Sequence, residues 1–454
     1  MLTLAVLSLY LLFTSVDASP DGPIINTTFG SYIGASDTAN AIDTFFGIRF
    51  TSPPARFTPA IPIANPPSGL QSALAFGSDC PQLPGTFISA IAGIPVGPPL
   101  RGANQSEDCL FLNVSLFGAL RTSAGDKLPI LIYIHGGAYS ICSGPEWNGT
   151  SLVQRSVAMG KPIIFVTINY RLGALGFLGS AQVPPGSLNV GLQDQRTALR
   201  FIQDNAESVG GDGSRITISG ESAGGASVHM HYLYPDSQRT FRGGISSSGT
   251  SLVLNTPAYL WPLALTTYQA PRDILPLWSP FKGLQGSLTQ ATLDKLLDLY
   301  AHPRDNLVLN SSLYNRAAQF TTDYEMLAPE RLFLRTVSKG QREQDVWAYE
   351  FQQHAPDAPD FLGAFHMSDL YYLDIGFASV PSRTLQSQMQ DFYISFTNDL
   401  NPGASWPKYT EGTGSGVVMQ LLDGDVEPIA DTLRLEQTEF LNQVDVMKEF
   451  RRFG

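Results

Sequence analysis

Charged side chains are scarce in this chain. They make up 15 % of its 454 residues, and the basic ones are the minority, 28 Lys and Arg against 40 Asp and Glu. A net charge of −12 argues against nucleic acid, whose phosphates call for clustered Lys and Arg. Long apolar runs are missing too: no stretch reaches the roughly eighteen residues of a membrane-spanning helix, so no transmembrane anchor is expected. Internal repeats, low-complexity tracts and charged linkers are absent. With 43 % hydrophobic residues the chain can nevertheless fill a core, which excludes a disordered solvating tail. Its 42 Gly and 32 Pro imply many turns and disfavour a helical bundle or coiled coil.

The ends speak to export. Residues Leu2 to Phe13, LTLAVLSLYLLF, form a short apolar run, followed by Val16 and Ala18 at the −3 and −1 positions of a cleavage site. That pattern predicts a signal peptide over 1–18 and a single mature domain over 19–454. The segment Lys448–Gly454 carries no hydrophobic lipid-anchor tail. A secreted, extracellular protein tolerates disulfides, and three cysteines are present: Cys80, Cys109 and Cys142. Five Asn-x-Ser/Thr triplets, at Asn26, Asn104, Asn113, Asn148 and Asn310, fit an exported glycoprotein. Asn113 lies in the strand-like LFLNVSLF, so glycosylation is expected at Asn26, Asn104, Asn148 and Asn310.

The first half alternates strands with helices. Pro129–Ile134 and Pro162–Asn169 are apolar runs of the kind a fully buried strand shows. Leu192–Asn205 spaces Leu192, Ala198, Leu199 and Ile202 as a helix does, and Arg215–Ser219 reads as a third strand. Later, Val346–Phe351 alternates like another. Strands separated by helices imply βαβ units and a mostly parallel sheet, with a ligand site at the strands' C-terminal ends.

Directly after the third strand stands Gly220-Glu221-Ser222-Ala223-Gly224-Gly225, followed by helix-compatible residues. A serine at such a turn is strained and crowded, so bulky side chains cannot stand two residues before or after it. Its hydroxyl sits at a helix N-terminus, whose partial positive charge favours a developing anion. Ser222 is therefore the candidate nucleophile for acyl transfer. Backbone N–H donors for the oxyanion are supplied by Ala223 and by the loop His135-Gly136-Gly137-Ala138, where Gly136 and Gly137 let the main chain approach a substrate.

The base should be a histidine C-terminal to the serine. His135 precedes it; His229 and His231 ride on the helix leaving it, directed away from the hydroxyl. His302 lies in a proline-containing turn and His354 in the polar loop QQHAPDAPD. His366, in the small-residue loop LGAFHMSD after the VWAYEF strand, is the best base. No metal or cofactor is called for.

These residues resemble the type-B carboxylesterase/lipase family of α/β-hydrolases, which includes cholinesterases and fungal extracellular lipases. The resemblance rests on EDCLFLNV (Glu107–Val114), YIHGGAYS (Tyr133–Ser140), VTINYRLGALGF (Val166–Phe177) and NVGLQDQRTALRFIQDN (Asn189–Asn205). It continues through VGGDGSRITISGESAGG (Val209–Gly225), LYNRAAQ (Leu313–Gln319), LGAFHMSDLYY (Leu362–Tyr372) and WPKYT (Trp406–Thr410). It implies an α/β-hydrolase fold, with a central mostly parallel sheet flanked by helices. Ser222 would be the nucleophile, His366 the base, and Gly136, Gly137 and Ala223 the oxyanion donors, with a disulfide Cys80–Cys109 and Cys142 left over. In fungal lipases that disulfide loop carries the lid; here it holds the apolar Phe87–Val96.

One departure matters. Family members carry the acid of the triad in an Asp-Glu-Gly stretch between the serine and histidine regions, and no such triplet occurs here. The family's second cysteine pair is missing as well, so the chain reads as shortened in this region; Asp273 is the least poor substitute acid. Loss of the acid would cost about 10⁴ in rate. The expected function is a secreted serine ester hydrolase, esterase or lipase, acting on a small-molecule ester or a lipid, with contact at a lipid interface. The alternatives are a cholinesterase-like binding protein of weak or no activity, or an incomplete esterase without the acid segment.

Overall fold

The structure is a computed structural model and describes residues 22–82, 104–121, 127–250, 288–300, 319–339, 344–355, 363–375, 382–410 and 416–450. The predicted signal peptide, Phe87–Val96, Asp273, His302 and Asn310 lie outside the described residues.

Thirteen strands occur among those residues. They are β1 (Ile24–Thr27), β2 (Gly30–Ile33), β3 (Ala35–Asp37), β4 (Ile42–Arg49), β5 (Leu70–Ser72), β6 (Phe111–Phe117) and β7 (Leu128–Ile134). The rest are β8 (Ile164–Ile168), β9 (Gly211–Glu221), β10 (Gly243–Ser247), β11 (Tyr349–Phe351), β12 (Val417–Leu421) and β13 (Pro428–Ala430). Seven build the central sheet in the order β10-β9-β7-β8-β6-β4-β3. The half that carries the site is parallel: β10 on β9, β9 on β7, β7 on β8. The far half is antiparallel, because β3 and β4 return on each other as a hairpin without a crossover helix.

Every residue of β7 and β8 is buried, as expected of strands covered on both faces. Side chains alternate between faces. Ile130, Ile132 and Ile134 join a core with Ile216, Ile218, Ala198 and Leu199. Leu131 and Tyr133 join another with Phe165, Leu152 and Ile394. The helix predicted from Leu192 begins slightly earlier, at Val190, and ends at Asn205; its apolar side packs into the first of these cores.

The strand predicted over 346–351 is shorter, Tyr349–Phe351, and does not join the central sheet. β11 pairs in parallel with β12, which pairs antiparallel with β13. A cavity of about 180 Å³ separates the two sheets. It is lined on one side by Gly244, Ile245 and Ser246 of β10 and on the other by Trp347, Ala348 and Tyr349.

Candidate active site

The serine stands where β9 meets the helix Ala223–Leu233. Ser222 takes φ 58° and ψ −122°, a region that side chains other than glycine rarely enter, so the turn is strained. Neighbouring contacts hold it there. The Ser222 N–H donates to the Ser247 carbonyl at the end of β10, and the Ser222 carbonyl accepts from Ala226 N–H, both at 2.9 Å. The surrounding glycines are obligatory for space. A Cβ on Gly224 would lie 1.9 Å from the Ile134 carbonyl oxygen, and one on Gly220 would lie 2.4 Å from the Gly224 carbonyl carbon. Steric crowding thus accounts for the Gly-x-Ser-x-Gly spacing. As the first residue of its helix, Ala223 has an N–H with no intrahelical acceptor.

The glycine loop after β7 lies directly against this turn. A Cβ on Gly136 would sit 2.7 Å from the Glu221 carbonyl oxygen and 3.0 Å from Ser222 Cβ. Gly137 adopts φ +91°, and its Cβ would meet the Ile141 carbonyl oxygen at 2.4 Å. Behind them the Tyr170 hydroxyl donates to the His135 carbonyl at 2.7 Å, and the two rings stack at 4.4 Å. Burial pulls the His135 imidazole down to about 4, so this ring is a neutral structural element. Tyr170 is followed by Arg171, whose guanidinium makes two hydrogen bonds to the buried Asp194 carboxylate, at 2.7 and 2.6 Å.

His366 arrives from the loop after β11. Its Nε2 lies 2.8 Å from Ser222 Oγ, a hydrogen bond between the expected nucleophile and the expected base. The same Nε2 is 3.2 Å from Oε1 of Glu221. The His366 side chain keeps 40 % of its surface open to the cleft, whereas that of Glu221 keeps 2 %. Burial lowers the imidazole below its ordinary value. It pushes the Glu221 carboxyl well above the usual carboxylate range, with the nearby Asp369 charge adding to the rise. Asp369 itself is buried and accepts a hydrogen bond from Tyr349 Oη at 3.0 Å. Ser247 Oγ joins that tyrosine, at 2.6 Å, to Tyr393, at 2.8 Å. A continuous polar chain therefore runs from the edge of β10 to the histidine loop.

Among the described residues, no carboxylate meets His366 Nδ1. Nothing in the sequence reading points to Glu221, since the family pattern places the acid between the serine and histidine regions. The available signal was its place in the motif, one residue before the nucleophile. His229 and His231, on the helix after the serine, are occupied elsewhere. His231 Nε2 pairs with Gln195 Oε1 at 2.9 Å, and His229 stacks on Phe333 at 4.3 Å. In front of Ser222 and His366 opens a cavity of about 880 Å³, with Phe365, Met326, Leu334 and Phe351 among its walls.

The family model of the carboxylesterase family matches residues 21–259, more than half of the chain. The chain belongs to the carboxylesterase family. It is therefore a member of a family of carboxylic ester hydrolases. Secreted lipase 1 of Botryotinia fuckeliana is 27 % identical over 87 % of this chain and 87 % of its own length. Acetylcholinesterase of Gallus gallus is 38 % identical over 51 % of this chain and 30 % of its own length. For lipase 1 of Geotrichum candidum the figures are 39 % identity, 44 % of this chain and 39 % of its own length. The chain thus spans well under half of the last two. A solved PNB esterase superposes with a TM-score of 0.69 at 22 % identity, covering 92 % of this chain and 99 % of the esterase. That likeness gives the α/β-hydrolase fold.

Cys80 and Cys109 are disulfide-bonded, as the resemblance implies, and Cys142 is unbridged. Burial pushes the Cys142 thiol well above its ordinary value, and its sulfur lies against the Gly137 turn. Of the sequon asparagines, Asn26, Asn104 and Asn148 are exposed. Asn113 is buried in β6, where its amide donates to Thr167 Oγ1 at 3.0 Å. Among the described residues, no helix is long and apolar enough to cross a membrane.

Proposed function

We propose that the chain is a secreted serine ester hydrolase working through an acyl-enzyme on Ser222. The observation that carries this reading is the 2.8 Å hydrogen bond between Ser222 Oγ and His366 Nε2 on a strained turn packed against the Gly136-Gly137 loop. Ser222 Oγ attacks the ester carbonyl carbon while its proton passes to His366 Nε2. The carbonyl oxygen becomes an oxyanion that the amides of Gly136, Gly137 and Ala223 receive, each donor contributing about 3–4 kcal/mol to transition-state stability. Collapse breaks the ester C–O bond, and His366 returns the proton to the departing alcohol. Water then enters: His366 takes its proton, the hydroxide adds to the acyl carbon, and collapse frees the acid and restores Ser222.

The substrate class is a carboxylic ester of a small molecule or a lipid, its acyl part lying in the cavity walled by Phe365, Met326, Leu334 and Phe351. Export is supported by the apolar run over 2–13 with its cleavage site, by the Cys80–Cys109 disulfide, and by a relative named a secreted lipase. The test is turnover of an aryl ester together with labelling by a serine-directed phosphonate. Wild type should turn over and label at one site, and Ser222→Ala should do neither. A folded wild-type sample that hydrolyses no ester and resists the phosphonate would overturn the reading.

A further inference from the structure

We propose that the cavity between β10 and the segment Trp347-Ala348-Tyr349 is a second binding site, apart from the cleft before Ser222, and that it takes a small neutral phenol. The inference stands whether or not Ser222 is acylated. The cavity exists because two sheet edges stop short of each other. Among the described residues, β10 pairs with β9 and β11 with β12, each on one side only, which leaves about 180 Å³ between them. An apolar cavity of about 150 Å³ accommodates benzene, so this one has room for one ring with a small substituent.

The walls favour an aromatic occupant. Phe333, Trp347, Phe392, Phe396 and Trp406 are among them. Trp347 stands edge-on to Phe396, with centroids 5.9 Å apart and planes at 81°, and Phe392 stands edge-on to Trp406 at 4.8 Å and 81°. Trp406 is fixed in turn, its Nε1–H donating to the Ala348 carbonyl at 3.1 Å. Rings held at right angles present both faces and edges, against which a further ring packs in the favoured stacked or T-shaped geometries.

His229 decides what the substituent is. It is 7 % exposed, stacks on Phe333 and borders both this cavity and the catalytic one. Its Nδ1 is buried without a hydrogen-bond partner, a costly condition that a ligand can relieve. Other polar groups on the wall are committed: the Tyr349 and Tyr393 hydroxyls meet Ser247 Oγ, and Ser246 Oγ donates to the Gly249 carbonyl at 2.7 Å. Burial pulls the His229 imidazole down to about 4, so the ring is neutral, with one donor and one acceptor nitrogen. A hydroxyl, which both donates and accepts, answers either. Charge disfavours a carboxylate. Among the described residues the wall holds no Lys or Arg, while Glu330 and Asp345 bring carboxyls, the latter already paired with Lys408 at 2.7 Å. An anion would therefore be desolvated there with no cation to answer it.

The experiment titrates the full chain with phenol, toluene and benzoate by calorimetry near neutral pH, with a thermal melt of each variant to check its fold. Wild type should bind one phenol with a Kd of about 0.1–1 mM, and benzoate about tenfold more weakly or worse. His229→Phe keeps a ring on Phe333 and removes both nitrogens; it should weaken phenol by about tenfold and leave toluene within about twofold. Val337→Phe fills this cavity, whose wall Val337 joins without touching the catalytic one, and should abolish binding of phenol and toluene alike. Met326→Phe, on the wall of the catalytic cavity alone, should leave both unmoved. No saturable phenol binding by wild type up to about 10 mM would overturn the inference. So would equal phenol affinity in wild type and His229→Phe, or benzoate held as tightly as phenol. Phenol binding lost in Met326→Phe but kept in Val337→Phe would place the ligand in the catalytic cleft and overturn it as well.

Discussion

Gly136→Ala isolates the role of the glycine loop from that of the serine. The added Cβ would stand 2.7 Å from the Glu221 carbonyl oxygen, 2.8 Å from its Oε2 and 3.0 Å from Ser222 Cβ. Two of those neighbours belong to the backbone or the root of a side chain on the strained turn, so they cannot swing aside. Opening 2.7 Å to an ordinary 3.4 Å contact moves the loop or the turn by about 0.7 Å. Overpacking of this kind costs about 1–3 kcal/mol of stability. The catalytic effect is larger: a displacement near 1 Å costs about 10² in rate, and loss of one oxyanion donor about 10²–10³. Aryl-ester kcat should fall by that range while KM changes little, because the shift harms the transition state more than the bound ester. Gly186→Ala is the control, since nothing lies within 4 Å of its added Cβ; its stability should stay within about 0.5 kcal/mol of wild type. A Gly136→Ala protein with unaltered kcat would show that the loop does not face the reacting carbonyl, and the reasoning would fail.

Asp194→Ala should destabilise the fold by about 3–5 kcal/mol in denaturant unfolding, because it strands the buried Arg171 guanidinium. Glu330 predicts a pH effect on stability. Burial raises its carboxyl to about 7, above an unfolded value near 4.5, so the folded chain holds the extra proton between those values and loses stability as pH climbs through that window. Glu330→Gln should flatten that decline in thermal melts taken from pH 4.5 to 7.5; an unchanged slope would refute the assignment.

Much of this was legible before any fold was known. The crowding around a serine on a strand-to-helix turn dictates glycines at fixed offsets, and Gly220 and Gly224 stand at them, each with no room for a Cβ. Buried parallel strands need apolar side chains on both faces, so β7 and β8 announce themselves as unbroken runs. A local constraint leaves a local trace in the sequence.

The surroundings of His366 had no such trace. Chain order and loop character favour His366 over the five other histidines, and its 2.8 Å contact with Ser222 spans 144 residues of chain. The position of Glu221 against the imidazole depends on how β9 and the histidine loop converge, a distance that no spacing rule encodes. The alternation over 346–351 likewise reads as a strand but names no partner, and β11 pairs with β12 across a cavity from β10. Strand pairing and side-chain encounters between distant segments are decided by the packing of the whole chain, since the interactions that select them exist only once the layers have met. The sequence alone determined the serine turn, its glycines and the buried strands; which carboxylate faces the histidine was settled by tertiary structure.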